Sequence, residues 1–142
     1  MRRNLRYVPV AFIFHAFVAS ASQLPTDTEI RAAYCLAPMQ TVVMQSNLNA
    51  AIAEKTPSMS AAKKAEAARD VRAATTDLEK LNAYLRPRFI YMVDSEDLAY
   101  TVAMNDAVQR GRNAVQELST PGDHSGTRSK MNVCFRLDWL PF

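Results

Sequence analysis

The chain is 142 residues long, a length that fits one domain with a single hydrophobic core. Its 17 basic and 14 acidic residues give a net charge of +3, and it contains only two histidines and two cysteines. Zinc sites take three or four His, Cys or carboxylate ligands, and c-type haem attachment takes Cys-x-x-Cys-His, so composition and spacing exclude a recognisable site of either kind.

The first 21 residues have the pattern of a secretory signal peptide. A basic start with three arginines is followed by an eleven-residue apolar run over residues 8–18 and by the cleavage motif Ala19-Ser20-Ala21. The run is shorter than the about 20 apolar residues of a membrane-spanning helix. We therefore expect residues 1–21 to be removed, leaving one domain over residues 22–142 without a membrane span. The paired arginines also suggest the twin-arginine export route, but their position directly after the first Met disfavours it.

Removal of this leader changes the charge of the protein. The leader holds three of the 17 basic residues and none of the 14 acidic ones, so residues 22–142 carry 14 of each sign. A neutral domain lacks the basic footprint of nucleic-acid-binding proteins, and we expect no nucleic-acid partner. It also has little repulsion between copies, which favours a protein partner or a weak homodimer.

The two cysteines, Cys35 and Cys134, lie 99 positions apart. In an oxidising periplasmic or extracellular compartment two cysteines are usually bonded, and their spacing is not the Cys-x-x-Cys of a redox pair. We expect a structural disulfide that joins the start of the fold to its end. In the loop-entropy model, closing a loop of roughly 100 residues stabilises a protein by about 4–5 kcal/mol.

The first predicted helix begins at Thr26-Asp27-Thr28-Glu29, which has the spacing of a capping box. Pro38 lies inside the helical pattern, so we expect either a kink near Ala37 or a break with a second segment starting at Pro38. Apolar or small residues recur at helical spacing along one predicted buried face, namely Ile30, Ala33, Tyr34, Ala37, Met44, Leu48, Ala51 and Ile52.

No charged residue occurs from Ala32 to Ala53, a stretch of 22 positions that we expect to be the central helix. It is too polar to span a membrane, because it contains the amides Gln40, Gln45, Asn47 and Asn49. Two interpretations remain open. Either the other helices cover this one on two sides and the amides occupy a narrow open face, or the amide stretch is a surface for a partner protein or a second copy.

A second helix is predicted from about Ser60 to Leu85, ending at Arg86-Pro87, because the residue before proline avoids helical geometry. Residues 88–93 could then form a short extended piece. Asp94 or Ser95 is expected to cap a third helix that runs to about Leu118. The predicted inner face of that third helix is Tyr100, Met104, Ala107, Val108, Gly111, Val115 and Leu118.

The C-terminal part begins with a predicted surface loop over residues 119–129, which holds two of the three glycines. Residues 131–139 alternate between apolar and polar, which is typical of a strand, and residues 89–93 could pair with it. A short helix that carries Cys134 to Cys35 fits a helical chain slightly better. The apolar ending, with Trp139, Leu140 and Phe142, is expected to dock on the helices.

Residues with catalytic chemistry are few. Asp123-His124-Ser125 contains the residue types of a hydrolytic triad, but sequence neighbours cannot generally point at one another as a triad requires. Asp94, Glu96 and Asp97 are explained by their place at a helix start. The methionines could bind Cu(I) but are scattered along apolar faces, which indicates core filling. We therefore predict no catalytic, metal or cofactor site and no enzyme.

The two ends of the chain carry a resemblance. Ala33-Tyr34-Cys35-Leu36, together with Cys134 and the final Leu137-Asp138-Trp139-Leu140-Pro141-Phe142, is similar to a group of small exported proteins of alphaproteobacteria. The resemblance covers about ten residues. It implies an exported helical fold and carries no activity.

The sequence thus predicts an all-α fold, a small bundle of three main helices with a docked C-terminal segment and one disulfide. The expected function is non-catalytic, that of an exported interaction or envelope-maintenance protein whose contact surface is the Gln40 to Asn49 stretch. A periplasmic stress chaperone or small inhibitor is an alternative in the same broad class. The contrasting alternative is a copper carrier or small enzyme that uses His124, the acidic cluster or the methionines.

Overall fold

The computed structural model describes residues 23–141, and the predicted signal peptide lies outside the described residues. The helices are α1 (Asp27–Lys55), α2 (Ala61–Asp94), α3 (Leu98–Leu118) and α4 (Ser125–Met131). Two 3₁₀ turns follow, at Asn132–Phe135 and Leu137–Trp139. No strand occurs between residues 23 and 141. The predicted all-α bundle of three main helices with a docked C-terminal segment and one disulfide is confirmed.

The start of α1 forms as its capping box predicts. The Thr26 Oγ1 accepts from the Glu29 backbone N–H at 3.2 Å, and the Glu29 Oε2 accepts from the Thr26 backbone N–H at 2.8 Å. These two bonds satisfy donors at the helix start that have no partner within the helix.

The predicted break at Pro38 is wrong, since α1 runs unbroken for 29 residues. Proline has no backbone N–H, so the Tyr34 carbonyl one turn earlier loses the bond that residue 38 would normally donate. Gly111 of α3 lies against that carbonyl oxygen, so closely that a Cβ at position 111 would overlap it. Pro38 itself is buried. Tertiary packing at Tyr34 and the burial of Pro38 therefore accompany the gap in the hydrogen-bond ladder of α1.

The predicted end of α2 at Arg86-Pro87 is also wrong, because the helix continues through Pro87 to Asp94. The Arg88 Nη1 donates to the Tyr84 carbonyl at 2.8 Å, in the turn that the proline ring disturbs, and the Arg88 Nε donates to the Glu29 Oε1 at 3.1 Å. These contacts stabilise the helix beyond the proline, so residues 88–93 are helical rather than extended. The N-cap of α3 is consequently Asp97, not Asp94 or Ser95.

The arrangement makes α1 the central helix, as predicted, because it packs against both α2 and α3, which contact each other little. The helices α1 and α2 are antiparallel. Lys64 near the start of α2 donates to the Glu54 carbonyl at 3.2 Å, and Arg88 near its end pairs with Glu29. The start of α3 lies near the start of α1, where the Gln23 N–H donates to the Asp97 Oδ2 at 2.9 Å.

The core lies where α1, the second half of α2 and α3 meet, and the predicted disulfide closes it. Cys35 and Cys134 are bonded with a Cα–Cα distance of 5.1 Å, and both are fully buried. The predicted inner face of α3 is largely confirmed. The buried core cluster comprises Ala32, Ala33, Cys35, Met39, Leu81, Tyr84, Leu85, Tyr100, Met104, Ala107, Cys134 and Leu140.

The C-terminal segment is helical, so the strand interpretation is wrong and the short-helix alternative is confirmed. The predicted loop is shorter than expected, because α4 begins at Ser125 within it. The Trp139 Nε1 donates to the Val133 carbonyl at 2.9 Å, and the Arg31 guanidinium lies 5.3 Å from the Trp139 ring centroid. Leu140 is buried, so the segment docks on the bundle as predicted. Phe142 lies outside the described residues.

In the part of the chain that the structure describes, no helix has both the length and the apolar character needed to cross a membrane.

Candidate interaction surface on the first helix

The apolar face predicted for α1 is covered in its first half and open in its second. Gly111 of α3 packs against Tyr34, and seven residues of α3 follow Gly111, which extend about 10 Å at the rise of an α-helix. The exposed part of this face begins after Thr41, which is half-buried. Beyond this point the face continues as Met44, Leu48 and Ile52, which are 66%, 54% and 53% exposed.

We refer to Met44, Leu48 and Ile52 as the α1 stripe. Their spacing of four residues places them one above another on the helix surface. The interpretation in which the other helices cover α1 on two sides predicted that these residues are buried, and that prediction is wrong. The 3.6-residue period identified the face correctly, but burial depends on where α3 ends relative to α1, which no pattern within α1 encodes.

The four amides predicted to form a partner surface, Gln40, Gln45, Asn47 and Asn49, are all exposed. At 100° per residue, Gln45 and Asn49 lie along one flank of the α1 stripe, and Gln40 and Asn47 lie along the other. The Gln45 Nε2 donates to the Asn49 Oδ1 at 3.0 Å, and the Asn47 Nδ2 donates to the Val43 carbonyl at 2.9 Å. The structure thus gives this surface an apolar centre with an uncharged polar border on both sides.

The second half of α1, which carries the α1 stripe, and the first half of α2 bury few residues between them. After Met39, Ala53 is the one described residue of α1 that is buried, and no residue of α2 is buried before Leu81. The first half of α2 is rich in alanine, which buries little surface. The three largest exposed apolar side chains of α1 therefore occur on the part of the fold with the least internal packing.

A second cluster, which sequence analysis missed, joins α1, α2 and α3 through Glu29, Arg88, Tyr91 and Tyr100. These residues line an open cleft of about 210 Å³. Burial and the nearby Glu29 carboxylate raise the pKa of Tyr100 to about 12. Burial tends to raise the pKa of Glu29, but hydrogen bonds from Thr26 and Arg88 outweigh it and lower the pKa of that carboxyl.

The residues of this cleft form a structural clasp, that is, a set of contacts that holds α1, α2 and α3 together. The Glu29 carboxylate accepts from Thr26 and from Arg88, and the Arg88 guanidinium also lies 3.9 Å from the Tyr84 ring centroid. Tyr91 and Tyr100 pack edge to face, with ring centroids 4.9 Å apart. Sequence analysis gave Glu29 a capping role, which is confirmed, and this role left no reason to look for a second partner.

The side chains that the sequence offered as candidate catalytic groups have structural partners close to them in the chain. The His124 Nε2 donates to the Thr120 carbonyl at 2.8 Å, and its Nδ1 lies 3.4 Å from the Glu117 Oε1. The Ser125 backbone N–H donates to the Asp123 Oδ1 at 3.0 Å, which is a turn contact. A hydrogen bond from Thr127, followed by that from His124, lowers the pKa of Glu117. His124 therefore links α4 to α3 in this structure.

Of the three acidic residues expected at the start of α3, Asp97 caps the helix, whereas Asp94 is the last residue of α2. The Asp97 Oδ1 accepts from the Tyr100 backbone N–H at 3.1 Å, and the Ser95 Oγ accepts from the Asp97 backbone N–H at 3.3 Å. Among residues 23–141, no group of three or more His, Cys, Asp or Glu side chains is placed to hold a metal ion.

Comparison with protein-family models, curated proteins and solved structures found no match for this chain. The interpretation of the α1 surface therefore depends on its own geometry. The buried disulfide is compatible with an extracellular or periplasmic location, where such bonds form and persist.

Proposed function

We propose that the protein is an exported, non-catalytic interaction or envelope-maintenance protein, and that it binds another protein chain through the α1 stripe and its amide borders. The observation that carries this proposal is the exposure of Met44, Leu48 and Ile52 in a continuous row. Exposed apolar side chains scattered singly need no explanation, whereas a row bordered by polar groups is typical of an interaction site.

The composition of the surface supports protein binding. Protein interfaces combine an apolar centre that is poor in charge with a polar rim. The α1 stripe lies within 22 consecutive positions that carry no charge, and the residues on its flanks are amides. A partner can therefore bury the stripe without desolvating an ionised group from this stretch, which would oppose binding.

Export is the second part of the proposal. The leader pattern of residues 1–21 and the disulfide between Cys35 and Cys134 support it together, because the bond requires an oxidising environment. Export by this leader predicts that the protein recovered from the envelope fraction begins at Ser22 when its N-terminus is sequenced. A protein that begins at residue 1 would contradict export with cleavage.

Site-specific photocross-linking in cells tests the binding surface. A photoreactive amino acid replaces Gln45, and the matched control replaces Gln109, which lies exposed on α3 and donates to Asn113 at 2.9 Å, as Gln45 does to Asn49. The proposal predicts a protein cross-link from position 45 and none from position 109. No cross-link from position 45, or equal products from both positions, would overturn it.

A further inference from the structure

We infer that the chain bound by the α1 stripe is a second copy of this protein, packed antiparallel across a two-fold axis at Leu48. This inference depends on the proposed function, since it names the partner of the same surface. Three features of the surface support it, namely the symmetry of the stripe, the chemistry of its flanks and its continuity with the α1–α3 packing.

The α1 stripe is symmetric about its central residue. Met44 and Ile52 lie four residues before and after Leu48, at about 6 Å on each side along the helix axis. Antiparallel packing about Leu48 places each Leu48 against its counterpart and each Met44 against Ile52 of the other copy. A two-fold interface requires such self-complementarity, because the same patch occurs on both sides.

The flanks of the stripe also suit contact with themselves. In an antiparallel two-fold pair of helices, each flank faces the same flank of the other copy, so a charged flank would meet a like charge. The α1 flanks carry amides, which both donate and accept. Gln45 and Asn49, already bonded at 3.0 Å within one helix, can extend that bonding to the same pair on the second copy.

The position of the stripe supplies the third argument. It continues the face of α1 on which Gly111 of α3 packs against Tyr34, so a second helix placed there extends an existing helix-packing surface. The helix α2 packs on a different side of α1, where Ser46 of α1 and Ala73 and Ala74 of α2 line one cavity, so a second copy at the stripe leaves the α1–α2 packing intact.

The size of the surface makes the association reversible. Met44 and Ile52 are separated by about 12 Å along α1, whereas a stable interface buries about 800 Å² on each partner. Neutral charge over residues 22–142 adds little repulsion. We therefore expect dimers that form at micromolar or higher concentration and dissociate on dilution.

Sedimentation velocity of the exported protein from about 10 μM to about 1 mM tests the dimer. The wild type is expected to shift from one to two chain masses, and Leu48→Lys is expected to stay monomeric or to weaken association at least about tenfold. The matched control is Val102→Lys, at a site on α3 that is 57% exposed and should dimerise as the wild type does. A monomeric wild type, or equal dimerisation of Leu48→Lys, would overturn the inference.

The register is tested with added cysteines and a short bis-maleimide, because the native cysteines are bonded and do not react. Leu48→Cys alone should give a covalent dimer. Met44→Cys should give none alone but should cross-link when mixed with Ile52→Cys. Efficient cross-linking of Met44→Cys alone would contradict the antiparallel register.

These outcomes separate the inference from the proposed function. A monomeric wild type whose position 45 still cross-links to a different protein in cells would reject the dimer and retain the interaction surface. A chain that gives no cross-link from position 45 in cells would reject the proposed function.

Discussion

Gly111 of α3 lies directly against the carbonyl oxygen of Tyr34, the one backbone acceptor in this turn of α1 that Pro38 deprives of its usual donor. The two residues lie on different helices, and because Gly111 has no Cβ there is room for the Tyr34 carbonyl beside it. This contact explains how α1 continues through a proline. It also fixes how closely α3 approaches α1 at this point.

Replacement of Gly111 by alanine is expected to destabilise the fold by roughly 1–3 kcal/mol, as overpacking of a close contact does. The new methyl group would overlap the Tyr34 oxygen and stand 3.0 Å from its carbonyl carbon, so backbone must move. Urea denaturation measures the effect. The control is Gly126→Ala in α4, where a Cβ meets nothing within 4 Å and alanine should be neutral or up to about 1 kcal/mol stabilising. Equal effects at both positions would contradict the close contact.

The coupling between Pro38 and Gly111 can be measured by a double-mutant cycle. Pro38→Ala restores an N–H that can draw the Tyr34 carbonyl back into the helix, which leaves more room at position 111. Gly111→Ala should therefore cost about 1 kcal/mol less in the Pro38→Ala background than in the wild type, a coupling typical of residues in contact. Additive effects of the two substitutions would show that the carbonyl does not link them.

Acid should destabilise the protein in part through Glu29. The pKa of its carboxyl is lowered in the folded chain by bonds from Thr26 and Arg88 that outweigh burial. A lowered folded-state pKa contributes stability that is present above the unfolded value near 4.5 and is lost as the pH falls through the folded value.

Glu29→Gln removes this contribution. The variant should be less stable at pH 7 by about 1–2 kcal/mol, since a capping partner and charged hydrogen bonds are weakened. Its stability should also fall less steeply below pH 4.5 than that of the wild type. Urea midpoints measured between pH 3 and pH 7 give both quantities. Parallel curves for the two proteins would rule out a role for Glu29 in the acid response.

Reduction of the disulfide should lower the melting temperature by roughly 10 °C, because the bond closes a loop of about 100 residues and stabilisation of a few kcal/mol is typical. The measurement is thermal unfolding by circular dichroism with and without reductant. The variant with both Cys35→Ala and Cys134→Ala is the control, which reductant should leave unchanged. Identical melting temperatures of the reduced and oxidised wild type would mean that the disulfide adds no stability.

Local signals in the sequence predicted a large part of the fold. The capping box at Thr26 and Glu29 specifies the start of α1 through contacts three residues apart, and the inner face of α3 follows from its period. The pairing of Cys35 with Cys134 followed from their number. Each of these signals is contained in a short segment or in the composition.

The errors arise where distant residues decide the structure. Pro87 ends a helix by local rules, but Arg88 pairs with Glu29, 59 positions away, and the helix continues. The same contact forms part of the cluster of Glu29, Arg88, Tyr91 and Tyr100, which no sequence motif predicts. The exposure of Leu48 depends on the length of α3 beyond Gly111. The amides of α1, by contrast, are exposed, as both interpretations of the sequence predicted.

The most direct test of the α1 interaction surface measures whether a partner covers it in living cells. Single Gln45→Cys and Gln109→Cys variants are produced in cells and labelled there with a membrane-permeant maleimide, and the labelling rates are compared with those of dilute purified protein. We predict that Cys at position 45 reacts several times more slowly in cells than in dilute solution, while Cys at position 109 reacts at the same rate in both. Equal rates at position 45 in cells and in dilute solution would contradict the interaction surface.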